Sequence, residues 1–325
     1  MQALVKTKEG SGFMGLREVP DPTTGPRDVL IRVKAAGICG TDLHIRSGGF
    51  YSRPPVIVGH EFAGEIVEIG SDVTGYSVGD RVVAEPHRGG CGTCRYCLTG
   101  HVEVCAQKRA IGYKVDGIFA PFTTLPVTSL HKIPDNVSFE HSALSEPTAV
   151  CVKAVLERSK VEPQDFVAVL GCGPIGLLSA AIAKAQGARA VMITGTDRDE
   201  AMRLPAARAM GIDYTVNVQK EDATERVREL TAGVGADLIV EASGAEPAIK
   251  QAVDMVRIDG RITGLGISGR DRVSIPYDDA LKKTVHLEWS LSSTWTSWVR
   301  TLQLLSSGQI DVSPIITTAM PLDRW

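Results

Sequence analysis

Four of the seven cysteines in this 325-residue sequence lie within fifteen residues. Cys91, Cys94, Cys97 and Cys105 follow the spacing C-x2-C-x2-C-x7-C. The first three can surround one metal ion from a tight knuckle, and the fourth can close a tetrahedron of thiolates. Four thiolates fill the coordination shell of zinc and leave no position for a substrate. The spacing therefore predicts a structural zinc site; the alternatives are buried or disulfide-paired cysteines and an iron–sulfur cluster.

A second set of residues suited to metal binding and proton transfer is spread over three segments. These residues are Cys39, Thr41, Asp42 and His44 in GICGTDLH, His60 and Glu61 in VGHEFAG, and Glu146 in SEPTAV. Each is ordinary alone: an isolated histidine usually lies in the core or on the surface, and Cys39 could be a small buried hydrophobic residue. Together they offer sulfur, nitrogen and carboxylate oxygen, which is the ligand set of a catalytic zinc with one open position.

A glycine motif of the form G-x-G-x-x-G indicates a dinucleotide site. Gly171, Gly173 and Gly176 directly follow the predicted strand FVAVL and precede a predicted helix. The first glycine allows the turn, the second lets the backbone approach a pyrophosphate, and the third lets helix and strand pack closely. The helix N-terminus then offers free N–H groups to the phosphates. The alternative is a tight strand–helix turn without a nucleotide.

The choice between NAD and NADP depends on the segment MITGTDRDE, which follows the second predicted strand of this region. Asp197 is the candidate for binding the ribose hydroxyls, and Asp199 and Glu200 follow it. Gly195, Thr196 and Arg198 would instead suit a 2′-phosphate. Clustered acids repel a further phosphate, so the segment favours NAD, with NADP as the alternative.

The elements that must position these residues divide the chain into two regions. Residues 1 to about 140 contain short Val- and Ile-rich segments separated by Gly, Pro and Asp, which predict strands. From about residue 145, strands alternate with helices, which predicts a parallel sheet. The length alone also suggests about two domains.

Composition gives no reason to expect a nucleic acid or a membrane as partner. The sequence is 43% hydrophobic and 22% charged, with a net charge of −3. The uncharged run FVAVLGCGPIGLLSAAIA has glycines near its start, so a strand and a buried helix explain it better than a membrane span. The N-terminus lacks the apolar stretch of a secretory signal, and a cytoplasmic protein is expected.

The motifs CGTDLH, GHEFAGEIVEIG, CGTCRYCLTGHVEVC, SEPTAV and GCGPIG occur here in the order found in medium-chain zinc-dependent alcohol dehydrogenases. From residue 1 to 325 the chain resembles the polyol (sorbitol) and threonine dehydrogenase branch of that family. The resemblance implies an α/β fold with a β-rich, GroES-like catalytic domain at 1–147 and 291–325. It places a Rossmann domain with a doubly wound parallel sheet at 148–290.

The resemblance also implies two zinc ions per chain, one catalytic and one structural. Cys39 and His60 would bind the catalytic ion, and either Glu61 or Glu146 would complete its shell. Asp42 would accept a hydrogen bond from His60. The structural ion would be held by the four clustered cysteines.

The remaining roles implied by the resemblance concern proton transfer, substrate and cofactor. Thr41 and His44 would relay the alcohol proton through the nicotinamide ribose, and Phe50 and Tyr51 would form walls of the substrate pocket. The predicted cofactor-binding residues are Gly171, Gly173, Pro174, Ile175, Gly176, Asp197, Arg198, Arg203, Leu265, Gly266 and Ile267.

The function implied is hydride transfer between NAD(P) and a secondary alcohol or polyol, such as a sorbitol-like sugar alcohol, in a homodimer or homotetramer. The alternatives are an L-threonine 3-dehydrogenase activity and a non-catalytic zinc- and nucleotide-binding protein. The chain departs from the family pattern in a longer GTDRDEAMR loop. It also ends at PLDRW, where relatives are expected to continue with a helix and a last strand.

Overall fold

A computed structural model describes residues 1–325, which form two compact units. The first unit contains Met1–Glu146, Ser293–Ser306 and Thr318–Trp325, and the second contains Pro147–Ser292 and Ser307–Thr317. Residues 307–317 thus group with the second unit, whereas the sequence prediction assigned them to the first domain.

The first unit is built from two sheets. Its strands are β1 (Gln2–Lys6), β2 (Met14–Glu18), β3 (Asp28–Gly37), β4 (Val56–Ile57), β5 (Glu61–Ile69), β6 (Arg81–Ala84), β7 (Phe122–Pro126) and β8 (Leu130–Lys132). One sheet has the order β2-β1-β4 and the other β7-β3-β5-β6-β8, with antiparallel neighbours throughout. In the five-stranded sheet, β3 and β5 are paired neighbours, so residues at their adjoining ends lie close together.

Alternating side chains form the core of the first unit. Val29 and Ile31 of β3 are fully buried while their neighbours are more exposed, as expected for a sheet with one covered face. Ile66 of β5, Val82 of β6 and Leu125 of β7 pack into the same apolar cluster. The short helices are α1 (Gly40–Ser47), α2 (Arg95–Leu98) and α3 (Phe139–Ala143), and α10 (Trp295–Ser306) is the long helix of this unit.

The second unit is a doubly wound parallel sheet. Its strands are β9 (Phe166–Leu170), β10 (Ala190–Gly195), β11 (Tyr214–Asn217), β12 (Ala236–Glu241), β13 (Val256–Gly264) and β14 (His286–Trp289). They are ordered β11-β10-β9-β12-β13-β14, and every neighbouring pair is parallel. This is the strand order of a Rossmann fold, so the predicted α/β fold class is confirmed.

The helices that connect these strands are α5 (Pro174–Ala185), α6 (Arg203–Ala209), α7 (Ala223–Leu230), α8 (Glu246–Met255) and α9 (Tyr277–Lys282). Helix α4 (Ser145–Val152) precedes them and continues into a π-helix at Lys153–Arg158. The uncharged sequence run is the strand β9, buried at all five residues, followed by the largely buried α5. None of the helices combines the length and apolar composition needed to cross a membrane.

Candidate active site

Three side chains in the first unit bring possible metal ligands together. The ligand atoms of Cys39, His60 and Glu61 all lie within 4.8 Å of one another. Cys39 is the residue before α1, where the backbone is still extended, and His60 directly precedes β5. Glu61 begins β5 and is paired with Gly37 at the end of β3. Antiparallel pairing of β3 and β5 therefore brings the two distant sequence segments to one place.

Gly37 leaves room for the carboxylate of Glu61. A Cβ atom at position 37 would lie 2.4 Å from Glu61 Oε2 and 3.2 Å from Glu61 Cβ. Any other residue type would push this carboxylate out of its place. The sequence prediction missed Gly37, because its role depends on the pairing register of β3 and β5.

Asp42 ties the two ligand segments together through the backbone. Its Oδ2 accepts a hydrogen bond from the Cys39 N–H at 2.9 Å, and its Oδ1 accepts one from the Gly59 N–H at 3.2 Å. The predicted hydrogen bond from His60 is absent: His60 Nδ1 lies 3.9 Å from Asp42 Oδ1. The Asp42 carboxylate bonds the two backbone groups instead, and the imidazole nitrogen lies beyond hydrogen-bond distance. His60 Nδ1 is buried and has no hydrogen-bond partner.

The electrostatics of this cluster favour a bound cation. Burial and, to a smaller extent, the nearby charge of Glu146 raise the pKa of Glu61 to about 7. Burial also raises the pKa values of Glu146 and of the Cys39 thiol. Burial alone would lower the pKa of His60, but Cys39 and Glu146 bring it to about 10. Two buried carboxylates, a thiol and an unpartnered imidazole nitrogen fit a divalent ion, which would stabilise the anionic forms.

Glu146 lies near Cys39, His60 and Glu61 but is not one of the three closely spaced ligands. It is buried in the first turn of α4, and its charge influences Glu61 and His60. Its carboxylate is not among the ligand atoms that lie within 4.8 Å of one another. Of the two carboxylates that the sequence left open, Glu61 therefore has the better position for direct ligation.

The residues predicted for proton transfer and for the pocket wall lie on or just after α1. Thr41 is half-buried and His44 is exposed, three residues further along the same helix. Residues three apart share a helix face.

Phe50 packs edge-on against the ring of Tyr113, with ring centroids 5.3 Å apart. Tyr51 is largely exposed, and its hydroxyl accepts a hydrogen bond from Arg53 Nε at 2.7 Å.

The four clustered cysteines surround one point. The Sγ atoms of Cys91 and Cys97 are 3.9 Å apart, and Cys105 Sγ lies 3.8 Å from those of Cys91 and Cys94. Zn–S bonds of about 2.3 Å in a tetrahedron give sulfur–sulfur separations of about 3.8 Å. A disulfide would need about 2 Å. The cluster therefore fits a zinc ion, and its spacing excludes disulfides among these residues.

Two local features support this arrangement of thiolates. The N–H of Cys94 points to Cys91 Sγ at 3.3 Å, and the N–H of Cys97 points to Cys94 Sγ at 3.5 Å. Backbone N–H groups near Thr93 and Cys94 lower the pKa of the Cys91 thiol. Gly90 has no side chain that would crowd the sulfurs: a Cβ there would lie 2.8 Å from Cys97 Sγ.

The glycine motif of the second unit has the geometry of a dinucleotide turn. Gly171 has a left-handed backbone with φ of 100°, and a Cβ there would collide with Ser243. A Cβ at Gly173 would meet no protein atom within 4 Å, so its surroundings are open. A Cβ at Gly176 would lie 1.8 Å from the Gly171 carbonyl oxygen. The turn thus keeps α5 against β9 and exposes the helix N-terminus at Pro174 and Ile175.

The acids after β10 have different environments. Asp197 is exposed and accepts a hydrogen bond from Asn217 Nδ2 at 2.7 Å. Asp199 is buried; its Oδ2 accepts from Thr196 N–H at 2.9 Å and its Oδ1 from Arg203 Nη1 at 3.1 Å. Arg198 is exposed and makes no ion pair. A Cβ at Gly195 would lie 2.7 Å from Cys172 Sγ and 3.1 Å from Asp199 Cβ, so Asp199 lies beside the glycine turn.

Leu265, Gly266 and Ile267 lie directly after β13. The N–H groups of Leu265 and Gly266 both donate to the Glu241 carbonyl at the end of β12, at 2.8 and 3.0 Å. Ile267 is 66% exposed. These residues and the glycine turn all follow the carboxyl ends of parallel strands, where ligands bind in such sheets. The prediction missed Glu241, whose carboxylate accepts from Ser243 N–H and holds the turn after β12.

Comparisons with known proteins agree with this architecture. Residues 25–135 match the alcohol dehydrogenase GroES-like domain, and residues 174–307 match the zinc-binding dehydrogenase family. The chain is 38% identical to a sorbitol dehydrogenase of Halalkalibacterium halodurans, covering 100% of this chain and 94% of that protein. It is 36% identical to an L-threonine 3-dehydrogenase of Yersinia pseudotuberculosis, with the same coverage.

A solved structure gives the same result for the fold. A zinc-binding dehydrogenase from Sinorhizobium meliloti bound to NADP is 31% identical, with a TM-score of 0.88 over 96% of this chain and 90% of that one. The three sheets, the ligand cluster and these matches define a zinc-dependent, NAD(P)-linked dehydrogenase. The chain belongs to the medium-chain zinc-dependent alcohol dehydrogenase family. The predicted resemblance and enzyme class are confirmed.

Proposed function

We propose that this enzyme oxidises secondary alcohols and polyols, with hydride transfer to a nicotinamide cofactor. The observation that supports this most directly is the buried cluster of Cys39, His60 and Glu61, which offers three ligands and leaves a fourth position for an alcohol oxygen. The 38% identity to a sorbitol dehydrogenase over the whole chain favours a polyol as the substrate.

The catalytic ion of this proposal is a zinc bound by Cys39, His60 and Glu61. When bound, it supplies Lewis-acid polarisation of an oxygen. Asp42 holds the backbone of both ligand segments, which fixes their separation. Glu146 adds a second buried carboxylate that can accept a proton or a hydrogen bond close to the ligands.

Proton transfer in this proposal uses the exposed face of α1. Thr41 receives the alcohol proton, and His44 passes it to solvent, where its ring is exposed. A second zinc, bound by the four clustered cysteines, has a structural role because its shell is closed. The proposed stoichiometry is therefore two zinc ions per chain.

The proposed cofactor is NAD, and the turn formed by Gly171, Gly173 and Gly176 is proposed to bind its pyrophosphate. The acids proposed to recognise the ribose are Asp197, which is exposed after β10, and its neighbour Asp199, which lies beside the glycine turn. A carboxylate accepts hydrogen bonds from ribose hydroxyls and repels a 2′-phosphate. The positive charges of Arg198 and Arg203 would instead favour a 2′-phosphate, so NADP is the alternative cofactor.

The first unit is proposed as the catalytic domain and the second unit as the dinucleotide-binding domain.

Assembly into a homodimer or homotetramer is proposed through β14. All four residues of this edge strand are exposed, including Leu287 at 44% and Trp289 at 61%. An edge strand with apolar side chains and unpaired backbone groups favours pairing with another chain.

All seven cysteines are free of disulfides, which favours a reducing, cytoplasmic location.

The test is a substrate panel with zinc-loaded enzyme and both cofactors, followed at the absorbance band of the reduced nicotinamide. Sorbitol and 2,3-butanediol should be oxidised with a higher kcat/KM than L-threonine, and NAD should exceed NADP. Cys39→Ser is the control without a complete ligand set and should be inactive. A clear preference for threonine would establish the alternative dehydrogenase activity. A lack of turnover with every substrate would contradict the proposal.

A further inference from the structure

Tyr113 lies on a turn that packs directly against the metal-ligand segment. A Cβ at Gly112 would lie 2.7 Å from the carbonyl oxygen of Gly59, and one at Gly117 would lie 2.2 Å from the same atom. Gly59 is the residue before His60. The turn that carries Tyr113 is therefore packed backbone to backbone against the segment that positions His60.

The ring of Tyr113 is fixed from two directions. Phe50 contacts it edge-on at 5.3 Å, with an angle of 88° between the rings. The Tyr113 carbonyl accepts a hydrogen bond from the Arg53 N–H at 2.7 Å. Edge-on aromatic contacts restrict ring orientation as well as burying apolar area. Both contacts come from the loop after α1, so this loop restrains the backbone and the ring of Tyr113.

The hydroxyl of Tyr113 is available to a ligand. The residue is half-buried, and its hydroxyl has no hydrogen-bond partner in the protein. Burial raises the pKa of this phenol, and the charge of Glu146 raises it further. Glu146 also raises the pKa of Glu61, and the contact of Gly112 with Gly59 puts the turn of Tyr113 beside the same ligand segment. The group remains a neutral O–H that can both donate and accept.

We propose that the Tyr113 hydroxyl forms a hydrogen bond with a second hydroxyl of the substrate, and so makes the site prefer polyols to simple secondary alcohols. This inference rests on the proposed function. A polyol carries a second hydroxyl on the carbon adjacent to the reacting carbon, whereas a simple secondary alcohol has no oxygen on that carbon. A neutral phenol suits a neutral hydroxyl, and a partner that only the polyol supplies produces discrimination.

The experiment compares Tyr113→Phe with the parent enzyme on a matched substrate pair, 2,3-butanediol and 2-butanol. The variant keeps the ring and its contact with Phe50, and it removes only the oxygen. We expect kcat/KM for the diol to fall about 3- to 30-fold through KM, and kcat/KM for 2-butanol to change less than about twofold. Tyr96→Phe, which removes an exposed phenol hydroxyl in the cysteine-rich segment, should leave both values unchanged.

Three outcomes would overturn the inference, and they are distinguishable. An equal fall for both alcohols would assign Tyr113 a general structural role. Unchanged kinetics for the diol would show that the hydroxyl makes no contact with the substrate. A parent enzyme that oxidises neither alcohol nor any polyol would overturn the proposed function, and this inference with it.

Discussion

Replacing Gly37 by alanine should remove the catalytic metal while leaving the fold in place. The new Cβ would lie 2.4 Å from Glu61 Oε2, whereas relaxed non-bonded contacts lie at about 3.5 Å. The carboxylate must therefore move by about 1 Å. Metal ligation tolerates deviations of only about 0.2 Å. The backbone of Gly37 is not left-handed, so alanine itself causes no strain there.

The size of the effect follows from this displacement. A misplacement of about 1 Å in a reacting group costs about 100-fold in rate. We therefore expect kcat/KM to fall by at least about 100-fold and the metal content to fall from two zinc ions per chain to one. Crowding in a packed site costs about 1–3 kcal/mol of unfolding free energy, which leaves the chain folded. Elemental analysis, steady-state kinetics and thermal unfolding measure the three quantities separately.

Gly40→Ala is the matched control for this change. It adds the same methyl group three residues away, at the start of α1, where a Cβ would meet no atom within 4 Å. This variant should keep two zinc ions and nearly full activity. If Gly37→Ala also keeps two zinc ions and full turnover, Glu61 is not a ligand, and Glu146 becomes the third one.

Four further predictions concern the other sites and the proposed interface. Gly173→Ala should weaken NAD binding about 10-fold in a titration without changing the melting temperature, because a Cβ there meets only the space for the pyrophosphate; unchanged affinity would refute this. Gly176→Ala should instead prevent stable folding, since its Cβ would lie 1.8 Å from a carbonyl oxygen, and a normal melting curve would contradict that view. Cys94→Ser should release the structural zinc ion and lower the melting temperature while the catalytic ion remains. Elemental analysis that still finds two zinc ions per chain would contradict this. Trp289→Glu should shift the assembly towards monomers in analytical ultracentrifugation, and an unchanged oligomer would exclude β14 as the interface.

The sequence could predict the residues that act through their own side chains. Cysteine spacing and the glycine motif are local patterns, and the structure gives each the geometry expected from its spacing. The Cys39, His60 and Glu61 set could be proposed from residue types alone. Its assembly could not be deduced in that way, because it depends on the pairing of β3 with β5 across more than twenty residues.

The residues that sequence reasoning missed act through position rather than chemistry. Tyr113 has no motif of its own, and only the backbone contact of Gly112 with Gly59 places it near the ligands. The sequence pattern could not tell which of the neighbouring acids Asp197 and Asp199 turns inward. In the structure, Asp199 caps the turn at Thr196 and Asp197 faces Asn217.

Glycines next to the two proposed metal sites illustrate a common physical requirement. Gly37 lies beside Glu61 and Gly90 beside Cys97 and Cys105, and a Cβ at either would come within 3 Å of a ligand atom. Ligand atoms in a metal shell lie about 4 Å or less from one another, so they leave little room for any further side chain. The backbone can then approach the shell only where a side chain is missing. Glycines at strand ends and knuckles therefore shape these sites as much as the ligands do, although they supply no chemistry.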